Sequence, residues 1–174
     1  MPKIALIALL GILPFPTHAQ PHAHDYHDAP IEAGQAAFAA VAEIVMLLEN
    51  DPDTDWATVN IDALRRHLID MDRVMLEADV KVEAIENGAR FTARGDGAVR
   101  IAIRRMVHAH ARTMNGVDGW RIDADDIQDG VRLTVAHSKD VEKIRALGFA
   151  GVMARGAHHQ QHHLMIARGV AREH

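Results

Sequence analysis

The sequence predicts an α+β domain. A four-stranded antiparallel sheet carries helices on one face, an internal repeat of the form α-ββ-α-ββ-α builds it, and a His-rich C-terminal helix follows. Three observations predict this. Two stretches alternate apolar and polar residues on either side of a tight turn, Asn87-Gly88 in one and Asp129-Gly130 in the other. Between and around them, apolar residues recur at steps of three and four, the spacing of one helical face. The two units also align: Gly88-Ala89-Arg90-Phe91-Thr92-Ala93 matches Gly130-Val131-Arg132-Leu133-Thr134-Val135, and Ile103-Arg104 matches Ile144-Arg145.

Residues 1–19 read as a secretory signal peptide. Lys3 supplies the positive start, Ile4 to Phe15 is an apolar stretch too short to span a bilayer, and Thr17-His18-Ala19 is a small-residue cleavage site. The protein is therefore expected to be exported, periplasmic or secreted, and free of the membrane after cleavage. Residues 20–30 read as a flexible tail that carries His22, His24 and His27. A terminal copper site of the Xaa-Xaa-His kind needs the amide N–H of its second residue, which Pro21 lacks.

Residues 31–156 read as the repeat domain. A first helix is expected near 32–50, with Phe38, Val41, Ile44, Val45 and Leu48 on its apolar side. Asp51-Pro52-Asp53-Thr54-Asp55 ends it as a turn. That D-x-D-x-D spacing also opens an EF-hand loop. Trp56 stands where the loop needs Gly and Asp62 where it prefers Glu, so calcium is not expected. Asn60 should cap a helix near 60–77 whose stripe is Ile61, Leu64, Leu68, Met71 and Met75. Strands are expected at Val80–Ile85, Arg90–Arg94, Trp120–Asp125 and Val131–Ala136. The helix between the hairpins is expected near 97–115, with Val99, Ile103, Met106, His110 and Met114 on one face. The free face of the sheet should carry Lys81, Glu83, Arg90, Arg94, Arg121, Asp123 and Arg132. Ser138 is expected to cap a last helix near 139–168, with Gly148, Gly151 and Gly156 as places for a break. Residues 157–174 form its His-rich end and tail.

Composition narrows the chemistry. Cysteine is absent, which removes disulfides, thiolate nucleophiles and Cys-ligated metal centres. Net charge is −5 with no basic block, so nucleic acid is not an expected partner. Nothing marks a catalytic constellation. Ser138 is the only serine and lies outside any nucleophile elbow, and no phosphate-binding glycine loop is present.

Histidine and methionine are the remaining signal, at 13 and 8 residues. His158, His159, His162 and His163 fall at roughly 0°, 100°, 40° and 140° around a helix and so share one side. Their i,i+4 pairs have the spacing that lets two imidazoles reach one metal. The zincin motif H-E-x-x-H is not formed, because Gln160 and Gln161 occupy the intervening positions. A second candidate set lies in the repeat: His67 and Met71 on one helix, Met106, His110 and Met114 on the other. Imidazole with thioether favours copper, Cu(I) especially. Against both sets stands the plainer possibility that His decorates a surface helix while Met fills a core.

The resulting expectation is an exported binding protein for a transition metal, copper or zinc, acting as buffer or carrier and not as an enzyme. Two other classes fit the same residues. One is a structural or interaction domain with incidental histidines, meeting another exported protein or a second copy of itself. The other is a metal-dependent enzyme with a carboxylate ligand from elsewhere. Export has its own test: mass spectrometry of the secreted protein should give a chain that starts at Gln20, and an intact Met1 in a membrane fraction would refute the leader.

Overall fold

The computed structural model describes residues 36–156 and 159–170. The leader, the tail histidines His22, His24 and His27, and His158 lie outside the described residues. The order is α1 (Ala36–Asn50), α2 (Ile61–Asp72), a π-helical turn (Arg73–Glu77), β1 (Asp79–Ile85), β2 (Gly88–Arg94), α3 (Gly97–Met114), a 3-10 turn (Val117–Gly119), β3 (Arg121–Ile127), β4 (Gly130–Ala136), α4 (Val141–Ala154) and α5 (His159–Ala167). The fold is α+β. Its four strands form one antiparallel sheet in the order β1-β2-β4-β3.

Side chains alternate across a strand, so the register sorts them onto two faces. One row runs Val82, Phe91, Leu133, Ala124; its Phe91, Leu133 and Ala124 pack against α3 and α4, while Val82 on the edge strand stays exposed. Ile103 and Val107 of α3 and Ile144, Phe149 and Val152 of α4 bury themselves there with Trp120. The opposite face reads Lys81, Thr92, Arg132, Asp125 in one row and Glu83, Arg90, Thr134, Asp123 in the next. Opposite charges meet across it, as in Arg90–Glu83 at 3.0 Å. All seven charged residues expected on the free face are on it.

The aligned arginines hold the hairpin turns. Arg104 of α3 donates to the carbonyl of Ile127, at 2.7 Å, beside the β3–β4 turn. Arg145 of α4 donates to the carbonyls of Ile85 (2.8 Å) and Gly88 (3.2 Å) at the β1–β2 turn. Each turn thus has outward carbonyls satisfied by a guanidinium from the helix packed over that hairpin, which in chain order follows the other one. Phe91 and Leu133, also aligned in the sequence, are direct cross-strand partners in the middle pair.

A second core lies among α1, α2 and α5. Ile44 and Leu48 meet Leu64 and Leu68, and Ile166 and Ala167 of α5 close it. The start of α2 is capped as expected: Asn60 Oδ1 accepts from the Ala63 N–H at 2.9 Å. The Asn60 N–H in turn donates to the Ala167 carbonyl at 2.7 Å, tying the end of α5 to the start of α2.

Two local expectations need correction. The stripe on α2 does not run on to Met75, which is 47% exposed, while Val74 is buried. The π-helical turn over Arg73–Glu77 bonds i to i+5, and its extra residue rotates the stripe by one position. Ser138 does not cap α4. The N-cap is Asp140, which makes no side-chain bond into the helix, and His137 Nδ1 accepts from the backbone N–H of Asp140 (2.9 Å) and of Lys139 (3.2 Å) in the turn before it. The break allowed for in the last helix is present: Gly148 kinks α4 with φ 60, α4 ends at Ala154, and α5 begins at His159. His108 Nε2 lies 3.0 Å from Asp126 Oδ1.

The central row predicts unequal mutational costs. Phe91→Ala should destabilise by about 3–5 kcal/mol in urea denaturation, because it opens a cavity between sheet and helices. Arg132→Ala, on the charged face, should stay within about 0.5 kcal/mol.

Candidate metal-binding cavity

The residues singled out at the two ends of the chain meet in one place. A cavity of about 420 Å³ opens between α2 with its π-helical turn, α3, the end of α4, and α5. Met71, Met75, Met106, Met114, Met153 and Met165 line it, six of the eight methionines in the chain. His67, His110, His159 and His162 supply the polar atoms, with Arg155 at one side. The surface is therefore mostly thioether and hydrocarbon, broken by imidazole.

Helical spacing explains how each helix delivers its share. On α3, Met106, His110 and Met114 are four residues apart and stack along one face. On α2, His67 and Met71 do the same, and the π-helical turn swings Met75 onto the cavity instead of into the core. Gly156, at φ +83, carries the chain past Met114, where a Cβ would lie 2.4 Å from its Cε. α5 then brings His159 and His162 across from the C-terminal end.

His67 is a buried polar residue, 5% exposed. Its ring meets those of His162 and His163 edge-on, with centroids 5.0 Å and 5.4 Å away. His163 does not lie on the surface: it is 4% exposed, its Nδ1 is 3.1 Å from Gln160 Oε1 and its Nε2 is 3.4 Å from Met71 Sδ. Gln160 Nε2 donates to Glu43 Oε2 on α1. The i,i+4 partner His159 has its ring centroid 6.3 Å from that of His163. Among the described residues, no three His, Asp or Glu side chains are grouped closely enough to hold a metal by themselves. A metal here would draw on the methionines as well.

His110 is set up as a neutral ligand. It donates to the Val152 backbone carbonyl, while its Nε2 is buried with no hydrogen-bond partner. The proton must therefore sit on Nδ1, which leaves the Nε2 lone pair bare. Burial lowers the His110 pKa to about 4, helped by the nearby charges of His159 and Arg155 and opposed by the bond to Val152. His163 is lowered to about 4 as well, by burial first and then by His159 and His162. Protons compete for a free imidazole near pH 6.5. At these two residues competition waits until about pH 4.

The structure thus brings together His159, His162, His67, Met71, Met106, His110 and Met114, with His163 against Met71. Sequence reasoning missed Met75, Met153 and Met165 as cavity residues, and missed Gln160 and Glu43. The count of methionines was the available signal for the first three. Comparison with protein-family models, with curated proteins and with solved structures finds no match to this chain.

The lowered histidine pKa values have a stability consequence. A group that stays neutral in the fold and protonates at about 6.5 when unfolded stabilises the fold fully above that pH. The contribution is lost as pH falls from 6.5 towards 4. Asp140, held below its usual 3.8 chiefly by the bond from Trp120, acts only at lower pH. Urea midpoints measured at pH 7, 5.5 and 4.5 should fall steadily in the wild type and less steeply in His110→Leu. Equal slopes would show that His110 titrates as a free imidazole.

Proposed function

We propose that this protein is an exported binding protein for a transition metal, copper or zinc, which it buffers or carries without transforming a substrate. The observation that carries the reading is the convergence of six methionines and four histidines, from helices far apart in the chain, on one largely apolar cavity. Methionine alone would be ordinary core filling. Thioether and neutral imidazole around one space make a donor set for a soft or borderline metal. The bare, buried Nε2 of His110 supports the same reading, because a buried acceptor without a partner is costly unless something binds it. Thioether donors weigh the choice toward copper. An exported location fits a protein that meets the metal outside the cytoplasm.

The test is metal analysis of the untagged protein purified from medium supplemented with copper and zinc. About one equivalent of metal per chain is expected, copper in excess of zinc. Calorimetry should give saturable heat with that metal, and the double variant His67→Leu/His110→Leu should lose most of it. A protein that purifies without metal and gives no heat with copper, zinc or nickel would end this reading and leave an interaction domain in its place.

A further inference from the structure

We infer that the bound metal is monovalent copper, Cu(I), seated at the cavity wall between Sδ of Met71, which lines the cavity, and Nε2 of His163, buried against it, with Glu43 and Gln160 as positioning residues that aim the imidazole. This rests on the metal-binding reading above and adds the oxidation state, the first two donors and the device that orients one of them.

The argument follows the hydrogens from the surface inward. The Glu43 carboxylate only accepts, so the Gln160 amide nitrogen donates to it. That bond turns Gln160 Oε1 toward His163 Nδ1, 3.1 Å away. A carbonyl oxygen also only accepts, so Nδ1 carries the hydrogen. A neutral imidazole has one N–H, and Nε2 is left with a bare lone pair. The atom it faces, 3.4 Å away, is the Met71 sulfur, which has lone pairs and no hydrogen. No hydrogen lies between these two atoms. They are two ligand atoms turned toward each other inside the protein.

Their separation is that of neighbouring ligands on one metal. With metal–nitrogen and metal–sulfur bonds of about 2.0 Å and 2.3 Å, a tetrahedral angle sets nitrogen and sulfur about 3.5 Å apart. A trigonal angle sets them about 3.7 Å apart, within reach of a small shift of the flexible Met71 side chain. A neutral thioether is a poor ligand for a hard or strongly hydrated dication and a good one for Cu(I). His67, whose ring centroid is 5.4 Å from that of His163, is a source of a third donor. The Glu43–Gln160–His163 chain has the form of the outer-shell contacts that orient metal-bound histidines, where an acceptor takes the ring's other N–H.

The experiment titrates the full-length exported protein with Cu(I) under anaerobic, reducing conditions, in competition with a chromogenic Cu(I) chelator. Wild type should withdraw about one equivalent, and X-ray absorption should show a sulfur shell beside the nitrogen shell. Met71→Leu, which keeps the side-chain volume, should weaken Cu(I) at least about tenfold and erase the sulfur shell. Gln160→Leu should weaken Cu(I) about tenfold or more, with little change in the urea midpoint of the metal-free protein. The exchange Glu43→Gln/Gln160→Glu keeps an acceptor for Nδ1 and should restore affinity to within about threefold of wild type. Cu(I) bound as tightly by Met71→Leu, a wild-type spectrum without sulfur, or zinc held as tightly as Cu(I) would each overturn this site and leave the broader metal-binding reading standing. Wild type that binds no metal would overturn both.

Discussion

Burial of Ile166 and Ala167 against Ile44, Leu48, Leu64 and Leu68 is the constraint on which the arrangement of the cavity depends. Apolar area removed from water contributes about 25 cal/mol per Å². The burial fixes the rotation of α5, and that rotation decides which histidines face inward. With Ile166 and Ala167 in the core, His163 is three residues back from Ile166 on the same side and is buried too. His159 and His162 then look onto the space left between α5 and the layer formed by α2 and α3. The Asn60–Ala167 bond locks the axial position of the helix, so the contact of His163 with Met71 is set by packing elsewhere.

The sheet serves this arrangement at a distance. Its apolar face anchors α3 and α4, and the buried row through Phe91 and Leu133 keeps those helices parallel to a rigid surface. Arg104 and Arg145 reach over the sheet edges to the hairpin turns and restrict sliding of the helices. α3 is thereby fixed well enough for His110 to keep one nitrogen on the Val152 carbonyl and the other in the cavity. At the far side Arg155 stacks 4.0 Å from the Trp120 ring centroid, and Trp120 donates to Asp140 at the start of α4. The cation beside the cavity is held to an aromatic wall and does not occupy the space itself.

Desolvation gives the site its chemical character. An imidazole in water is partly protonated near neutral pH, but burial among methionines removes the water that would stabilise the cation. Hydrogen bonds to one ring nitrogen then decide which atom keeps its lone pair. His110 has a backbone carbonyl for this and His163 has an amide that is itself oriented by a carboxylate. In both cases the atom left bare is Nε2, the outer one on the ring, which is also the one best placed to reach across a cavity.

The fold was legible in the sequence because its determinants are local. Alternation around Asn87-Gly88 and Asp129-Gly130, the helical stripes and the Asn60 cap each act within a few residues, and the strands and helices fall where these signals put them. Exceptions arose where a local pattern was overridden: the π-helical turn that displaced Met75, and the start of α4, where Asp140 and not Ser138 holds the N-cap position. The candidate site was legible as two separate lists, one on the repeat helices and one on the C-terminal helix. The sequence by itself determined the donor types, the face each shares within its own helix, and the absence of cysteine chemistry. Only the tertiary structure decided that the two lists form one cavity, that His163 is buried against Met71, and which ring nitrogen carries the proton. Those outcomes depend on helix rotation and on contacts between residues such as Glu43 and Gln160, 117 positions apart, and periodicity along the chain holds no information about either.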